Sequence, residues 1–371
     1  MIPPERIELA GYLSRWLEYQ RVRGTRARTL EAYGGYIRRE IVPLVGGIEV
    51  AVLRPHHVRT VLLRMQKRGL SPATIAQVPS VLGSALRQAV ADGIITANPV
   101  AAVKRPKMQR REPHWPTSAQ LAALLRASRG TVWEVPILLA IVTGARRSEI
   151  LGISWSDVDM EEGTITIRRG GQPVRGADRS GTIAFTPLKT RRARRRIQLL
   201  PFSLKRLRLH RREQLKRRTA MGSWWRDPCD ERGNPLAMVC DRGDGLPPYP
   251  DALTRGFKRL ARRAGLHPAT RLHDVRHAVA TELGRRGVHP VIVSAVLGHA
   301  SPAFTLAVYQ HAWQEGPSEA ARALEAALGR PHVGNSLARE VAERSDDQAA
   351  FAKWQVNVVG RAGLEPAAGG L

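Results

Sequence analysis

The sequence predicts a mainly α-helical protein with a small antiparallel β-sheet, an α+β fold organised as two domains. Apolar residues recur at spacings of three and four over most of the 371 residues, which is the period of a helix. One segment, about 164–200, instead alternates apolar and polar residues as strands do. Residues 104–116 are basic, contain three prolines and lack periodicity. They predict a linker between the two domains.

The first domain, residues 1–103, is predicted to be helical. Its four expected helices cover about 9–17, 30–41, 58–65 and 73–91. Thr29 is placed to cap the second helix, and Pro43 with Gly46-Gly47 is expected to end it. Ser71 followed by Pro72 is a usual helix start, with a capping side chain before proline at the first helical position.

The second domain, residues 117–330, is predicted to combine helices with the sheet. Helices are expected at about 118–126, with Ser118 as cap, 134–143, 204–219, 253–264, 272–286, 290–297 and 320–328. Strands are expected at 164–167, 182–186 and 196–200, and residues 188–193 should form a hairpin turn between the last two. The Gly/Pro-rich segment 221–250 predicts a long loop. Residues 331–371 are polar and predict a disordered tail.

The charge points to a nucleic-acid partner. Lys and Arg total 59 against 32 acidic residues, a net charge of +27 spread over most of the chain. Because only 8 of the basic residues are lysines, a GC-rich genome explains part of the arginine excess, and a single arginine in a motif is weak evidence. Two cysteines fit a reducing cytoplasm, and the sequence predicts neither a signal peptide nor a membrane span.

Two basic residues stand out from this background. Arg146 follows a glycine at the end of an apolar helix, and Glu149, three residues on, could hold it in place for a phosphate. An ordinary surface pair explains the same spacing equally well. Lys189 is the one lysine between Lys107 and Lys205. Since lysine releases its proton more readily than arginine, Lys189 hints at proton donation, and chance is the alternative.

Four further candidates follow along the chain. His273 and Arg276 lie three apart on one helix face, although the neighbouring His277 leaves the choice of imidazole open. His299 follows a helix-ending glycine, where a histidine is more often a satisfied turn residue. Tyr309 would by default pack into a core. Each of them, taken singly, favours an ordinary structural role.

In this order, however, the residues resemble the tyrosine recombinase (phage integrase) family. The motifs are TGARRSE at 143–149, PLKT at 187–190, LHDVRH at 272–277, LGH at 297–299 and Tyr309, within a similarity over about residues 5–320. The resemblance implies Arg146 and Arg276 as the catalytic arginines, Glu149 as their acidic support, Lys189 as the hairpin lysine, His273 and His299 as the catalytic histidines, and Tyr309 as the nucleophile.

The family implies a helical core-binding domain and a catalytic domain that form a C-shaped clamp on double-stranded DNA. Four subunits would exchange strands through a 3′-phosphotyrosyl link. Helix 320–328 would dock on a neighbour, as the family's C-terminal helix does, and packing on its own domain is an equal alternative. Accessory DNA-bending or directionality factors would be further partners. No cofactor and no metal are implied, and the sequence has no Gly-x-x-x-x-Gly-Lys-[Ser/Thr] loop for ATP.

The sequence departs from the family in two places. Many integrases carry an arm-binding domain first, whereas here about eight residues precede the helical domain, and segment 221–249 is longer than the family suggests. Two other functions use similar features. A type IB topoisomerase would relax one duplex without exchanging partners, and a non-catalytic DNA-binding protein would carry a decayed site. The separate helical domain and the six intact positions favour a recombinase that integrates or excises a phage or mobile element.

Overall fold

The structure, a computed structural model, describes residues 6–107, 114–175, 181–188, 190, 193–299, 303 and 306. It is mainly helical with small antiparallel sheets, which confirms the predicted fold class. The chain divides into two compact units, with the boundary between Ala278 and Val279. The first unit contains two separate large hydrophobic cores, one from Leu9 to Val103 and the other from Leu121 to Ala278.

The first core is built by helices alone. They are α1 (Leu9–Val22), α2 (Ala27–Tyr36), α3 (Val42–Val45), α4 (Pro55–Lys67), α5 (Pro72–Ile75) and α6 (Gln77–Ala91). The predicted apolar face of α1 is confirmed, because Leu9, Leu13 and Trp16 are buried. Ser71 caps α5 as predicted, with its hydroxyl accepting a hydrogen bond from the Thr74 amide at 3.2 Å.

The prediction for the second helix was wrong about Thr29 and Pro43, but the helical run does end at Val45, directly before the predicted Gly46-Gly47. Helix α2 begins at Ala27, and the Thr29 amide already donates to the Arg26 carbonyl at 2.8 Å, so Thr29 is in the first turn and not the cap. Pro43 does not end the helical run either. A π-helical turn at Ile37–Ile41 shifts the hydrogen-bond ladder. Pro43 then falls in the first turn of α3, where its missing amide hydrogen costs nothing.

The second core combines helices and strands. The helices are α7 (Ser118–Ser128), α8 (Glu134–Thr143), α9 (Arg147–Ile150), α10 (Pro201–Met221), α11 (Pro250–Arg263) and α12 (Leu272–Arg285). The strands are β1 (Val158–Asp159), β2 (Thr164–Ile167), β3 (Arg169–Arg175), β4 (Gly181–Pro187) and β5 (Arg195–Gln198). Thr117 caps α7 in place of the predicted Ser118, in a reciprocal capping box with Gln120.

The strands pair differently from the prediction. One sheet has the order β1-β2-β5, with Ile165 opposite Ile197, and β3 pairs only with β4, with Arg169 opposite Pro187. Strands β4 and β5 therefore belong to different sheets and do not pair as the predicted hairpin, and residues 189, 191 and 192 between them lie outside the described residues. Strand β3 escaped prediction because its Gly-Gly-Gln-Pro run lacks β-branched and aromatic residues.

The second unit is described only in part. It contains the end of α12 and helix α13 (Pro290–Leu297), which stops as predicted at Gly298 with φ +67°. Ala280, Val293 and Leu297 form a small core of their own. The predicted helix 320–328 and tail 331–371 lie outside the described residues. Within the described part of the chain, no helix is long and apolar enough to cross a membrane.

Candidate active site

Arg146 is presented by a tight turn between two helices. Helix α8 ends at Thr143, and Gly144 adopts the left-handed conformation, with φ +58°. The Thr143 hydroxyl accepts a hydrogen bond from the Ala145 amide at 3.1 Å and so closes the turn. Arg146 then has extended backbone angles and directly precedes α9. The turn reverses the chain and leaves the Arg146 side chain 39% exposed.

Glu149 fixes the orientation of Arg146 through two hydrogen bonds. Its carboxylate is 2% exposed and accepts hydrogen bonds from the Arg146 amide at 2.9 Å and from Arg146 Nη1 at 2.7 Å. Burial by itself would raise the pKa of the Glu149 carboxyl, but the guanidinium of Arg195 and that of Arg146 lower the pKa below its ordinary value. Glu149 is therefore ionised, and it fixes one side of the Arg146 fork.

Arg195 is a member of this cluster that the sequence reasoning missed. Its Nη2 donates to Glu149 Oε2 at 2.8 Å, and its Nη1 donates to the Ala193 carbonyl at 3.0 Å. The side chain is 5% exposed at the start of β5, where burial alternates along the strand. That alternation was a usable signal, because Arg195 is two residues before the inward-facing Ile197.

Arg276 joins α12 to the Arg146 turn. Its Nη1 donates to the Gly144 carbonyl at 2.8 Å, and only 2% of the residue is exposed. Asp274 accepts from the amide of Arg271 at 2.8 Å, which closes the first turn of the same helix. The two arginines that the sequence placed in one site are thus brought to one turn from segments 130 residues apart in the chain.

His273 is exposed, and it lies at the surface beside Arg146. Together with Arg146 it lines a cavity of about 290 Å³, whose wall also includes Arg28 of α2 and Gln172 of β3. The His273 imidazole is exposed to the cavity, yet partial desolvation lowers its pKa below the ordinary value, and Arg276 and Arg146 add to that effect. His273 is consequently neutral at pH 7 and able to accept a proton.

The β3–β4 hairpin is packed tightly against α9. A Cβ atom on Gly152 would lie 2.8 Å from the Arg169 carbonyl oxygen, and one on Gly171 would lie 3.1 Å from the Leu151 carbonyl oxygen. The buried Asp157 anchors the hairpin base through Arg169, whose Nη1 donates to it at 2.8 Å. The hairpin therefore has a fixed position beside Arg146, set by glycines at the contact.

The remaining predicted site residues are placed only in part. Lys189 and Tyr309 lie outside the described residues. Before Lys189, the Leu188 amide donates to the Arg168 carbonyl at 3.4 Å at the hairpin base. His299 belongs to the second unit, where it is buried and its amide donates to the Ser294 carbonyl at 3.0 Å. The structure thus brings together Arg146, Glu149, His273 and Arg276.

Comparison with known proteins identifies the family. Residues 115–315, more than half of the chain, match the family model described as the phage integrase family. The chain belongs to this family. The sequence resemblance is thereby confirmed, and with it the class of enzyme, the tyrosine recombinases, which cleave and rejoin DNA.

Curated relatives are distant but extensive. The chain is 25% identical over 319 residues to a protein named "Tyrosine recombinase XerC-like" from Caldanaerobacter subterraneus subsp. tengcongensis, covering 82% of this chain and 79% of the relative. It is 27% identical to an integrase of Streptomyces ambofaciens, covering 83% and 77%. The integrase of Mycobacterium phage FRAT1 is 26% identical over 332 residues, covering 87% and 89%.

Solved structures share the fold. The Tn1549 transposon integrase in complex with a circular intermediate DNA matches with a TM-score of 0.69 at 20% identity, covering 87% of this chain and all of that one. A lambda integrase tetramer bound to a Holliday junction matches with a TM-score of 0.56 at 20% identity, covering 82% and 78%. These matches confirm the predicted fold.

Proposed function

We propose that this chain is a site-specific DNA recombinase that integrates or excises a phage or mobile element. The observation that carries the proposal is the cavity where the exposed Arg146 guanidinium and the neutral His273 imidazole meet. Family membership supplies the reaction class. Each of the two groups performs one task in that reaction, binding phosphate or accepting a proton.

Arg146 and Arg276 stabilise the phosphate in this proposal. Attack on a phosphodiester places additional negative charge on the non-bridging oxygens, and preorganised donors stabilise it most where water is excluded. Glu149 fixes the Arg146 fork, and the Gly144 carbonyl fixes one nitrogen of Arg276. Little reorganisation is then needed as the charge develops.

His273 accepts the proton of the nucleophile. Tyr309 attacks the scissile phosphorus, a bond forms to its phenolic oxygen, and the bond to the 5′-oxygen breaks. The lowered pKa of His273 keeps the imidazole unprotonated near neutral pH, which is the state that a general base requires. The resulting 3′-phosphotyrosyl link preserves the bond energy for rejoining.

Lys189 and His299 complete the site on the strength of their motifs. Lys189 delivers a proton to the departing 5′-oxygen, since an ammonium group donates a proton more readily than a guanidinium. His299 adds a hydrogen bond to a non-bridging oxygen. Both roles rest on the match of PLKT and LGH to the family pattern.

The partner in this proposal is double-stranded DNA, bound between a helical domain of residues 1–103 and a catalytic domain of residues 117–330. The separate cores on either side of the linker support these boundaries, and the net charge of +27 supports the partner. Four copies act together on two sites in the cytoplasm, at the nucleoid. The Holliday-junction tetramer of lambda integrase supports this assembly.

A suicide substrate tests the proposal. A nicked duplex carrying the recombination site traps the covalent intermediate, because the short 5′ fragment diffuses away after cleavage. We expect an adduct with the wild-type chain and none with Tyr309→Phe. An adduct with Tyr309→Phe would contradict the proposal. Relaxation of plasmid without joint products between two sites would instead indicate a type IB topoisomerase.

A further inference from the structure

We propose that Trp115 and His277 are positioning residues that set the orientation of the His273 imidazole. The inference rests on the proposed function, in which His273 accepts the proton of the nucleophile. It assigns a role in the reaction to the end of the predicted linker, 104–116. Neither residue lines the cavity that contains Arg146 and His273.

Three rings lie in sequence. The indole of Trp115 stacks on the imidazole of His277, with centroids 5.8 Å apart and planes inclined by 19°. His277 in turn meets His273 edge to face, with centroids 4.8 Å apart and planes at 90°. Both distances are in the range of favourable aromatic pairs. Trp115 packs against His277, and His277 packs against His273. Rotation of the His273 ring would therefore disturb its contact with His277.

Two further contacts fix Trp115 to the start of α12. The neighbouring His114 stacks on His267, with centroids 3.7 Å apart and planes inclined by 20°. The Thr270 hydroxyl donates to the His114 carbonyl at 3.3 Å. These contacts anchor the segment that carries Trp115, so that the indole is a fixed support and not a free surface group.

Helical geometry explains why the support reaches His273. His273 and His277 lie four residues apart on α12 and are neighbours on its surface. Burial and, to a smaller extent, the nearby His273 lower the pKa of His277 to about 4. A neutral His277 can pack against His273 without repelling the imidazolium that forms when His273 takes a proton.

The same packing covers the side of His273 that meets His277, while its other side is open to the cavity. Among the described residues, the charged groups that act on His273 are Arg276 and Asp274 of α12, Arg271 before it, and Arg146, and Arg28 and Arg147 line the same cavity. Loss of the indole leaves these charges in place and admits solvent to the ring. The apparent pKa of His273 would then move up, towards its ordinary value.

The test uses Trp115→Leu, which keeps apolar bulk but lacks a ring, and Trp115→Phe, which restores one. Single-turnover adduct formation on the suicide substrate is measured from pH 5 to 9, together with the dissociation constant for the same DNA. We expect Trp115→Leu to cleave about tenfold more slowly, because a general base loses efficiency when misoriented. The acid limb of its pH–rate profile should move to higher pH, and its dissociation constant for the DNA should be unchanged. Trp115→Phe should behave nearly as wild type.

Trp224→Ala is the matched control, since that indole is 80% exposed and belongs to another segment. It should leave rate and pH profile unchanged. The inference is overturned if Trp115→Leu matches wild type across the pH range, or if Trp115→Phe is as impaired as Trp115→Leu. Failure of the proposed function would look different, because Tyr309→Phe would then retain the adduct whatever the Trp115 variants show.

Discussion

Glu149 connects two arginines that have different roles. Arg146 is exposed to the cavity, whereas Arg195 is buried and serves the carboxylate. A buried ion pair adds little net stability compared with apolar residues, but removal of one partner leaves a buried charge. The role of the buried Arg195–Glu149 pair is therefore to keep Arg146 in one orientation.

Removal of Arg195 should therefore affect both stability and cleavage. We expect Arg195→Gln to lower the free energy of unfolding by about 3–5 kcal/mol, because Glu149 loses its buried partner. Denaturant unfolding measures this. In the double variant Glu149→Gln/Arg195→Gln neither charge of this buried pair remains, so stability should partly return while adduct formation stays low. Recovery of cleavage in the double variant would show that the charge of Glu149 is dispensable.

The sequence predicted the motif residues of the site but not Arg195, which pairs with Glu149. Arg146, Glu149, His273 and Arg276 were recognisable by spacing and order. Arg195 was not, because it stands among five arginines between residues 191 and 196. Only the alternating burial of β5 separates it from its neighbours, and that pattern becomes meaningful once the strand is known to face a core.

At the scale of elements, the hairpin and α9 form one rigid support through backbone contacts. The closest approach is at Gly152, where a side chain would collide with the Arg169 carbonyl and not with a flexible side-chain end. A short helix of four residues has little stability of its own, so α9 depends on such contacts.

Gly152→Ala should therefore separate the hairpin from α9. We expect a loss of about 1–3 kcal/mol in the free energy of unfolding, as for other overpacked sites, and slower adduct formation. Gly11→Ala is the control, because nothing lies within 4 Å of a Cβ atom there and the residue is inside α1. That change should stabilise the protein by about 0.5–1 kcal/mol. Equal behaviour of the two variants would contradict the packing argument.

The lowered pKa of His277 in helix α12 should make the free energy of unfolding depend on pH. His277 has a folded-state pKa of about 4, below the value of 6.5 expected for the unfolded chain. The unfolded state then binds the proton more readily, so the free energy of unfolding should fall as the pH falls from 6.5 to 4. His277→Phe keeps a ring and cannot titrate, and it should show a smaller decrease over that window. An identical decrease in both proteins would exclude His277 as its source.

The elements themselves were mostly predictable, and the errors have physical causes. Periodicity located α1, α8 and α13 well. The π turn at Ile37–Ile41 is set by tertiary packing, so Pro43 misled the prediction. Strand pairing depends on partners distant in sequence. The 27 residues between β2 and its partner β5 include the separate β3–β4 hairpin.

At the scale of the whole molecule, the positive charge should dominate DNA binding. Each phosphate contact releases counterions, so affinity should fall on the order of 10³-fold between about 50 and 200 mM salt. Arg28→Gln should flatten the slope of log affinity against log salt by about one, since Arg28 lines the site cavity. Arg21→Gln is the control, as Arg21 pairs with Glu18. If the slope is unchanged in Arg28→Gln, then Arg28 does not contact a DNA phosphate.

We propose that Tyr309 forms the covalent link to DNA. Mass spectrometry of the adduct trapped on the suicide substrate, after nuclease and protease digestion, tests this directly. We expect one nucleotide-bearing peptide, with the 3′-phosphate attached to the oxygen of Tyr309. Attachment to any other residue, or an adduct through a 5′-phosphate, would contradict it.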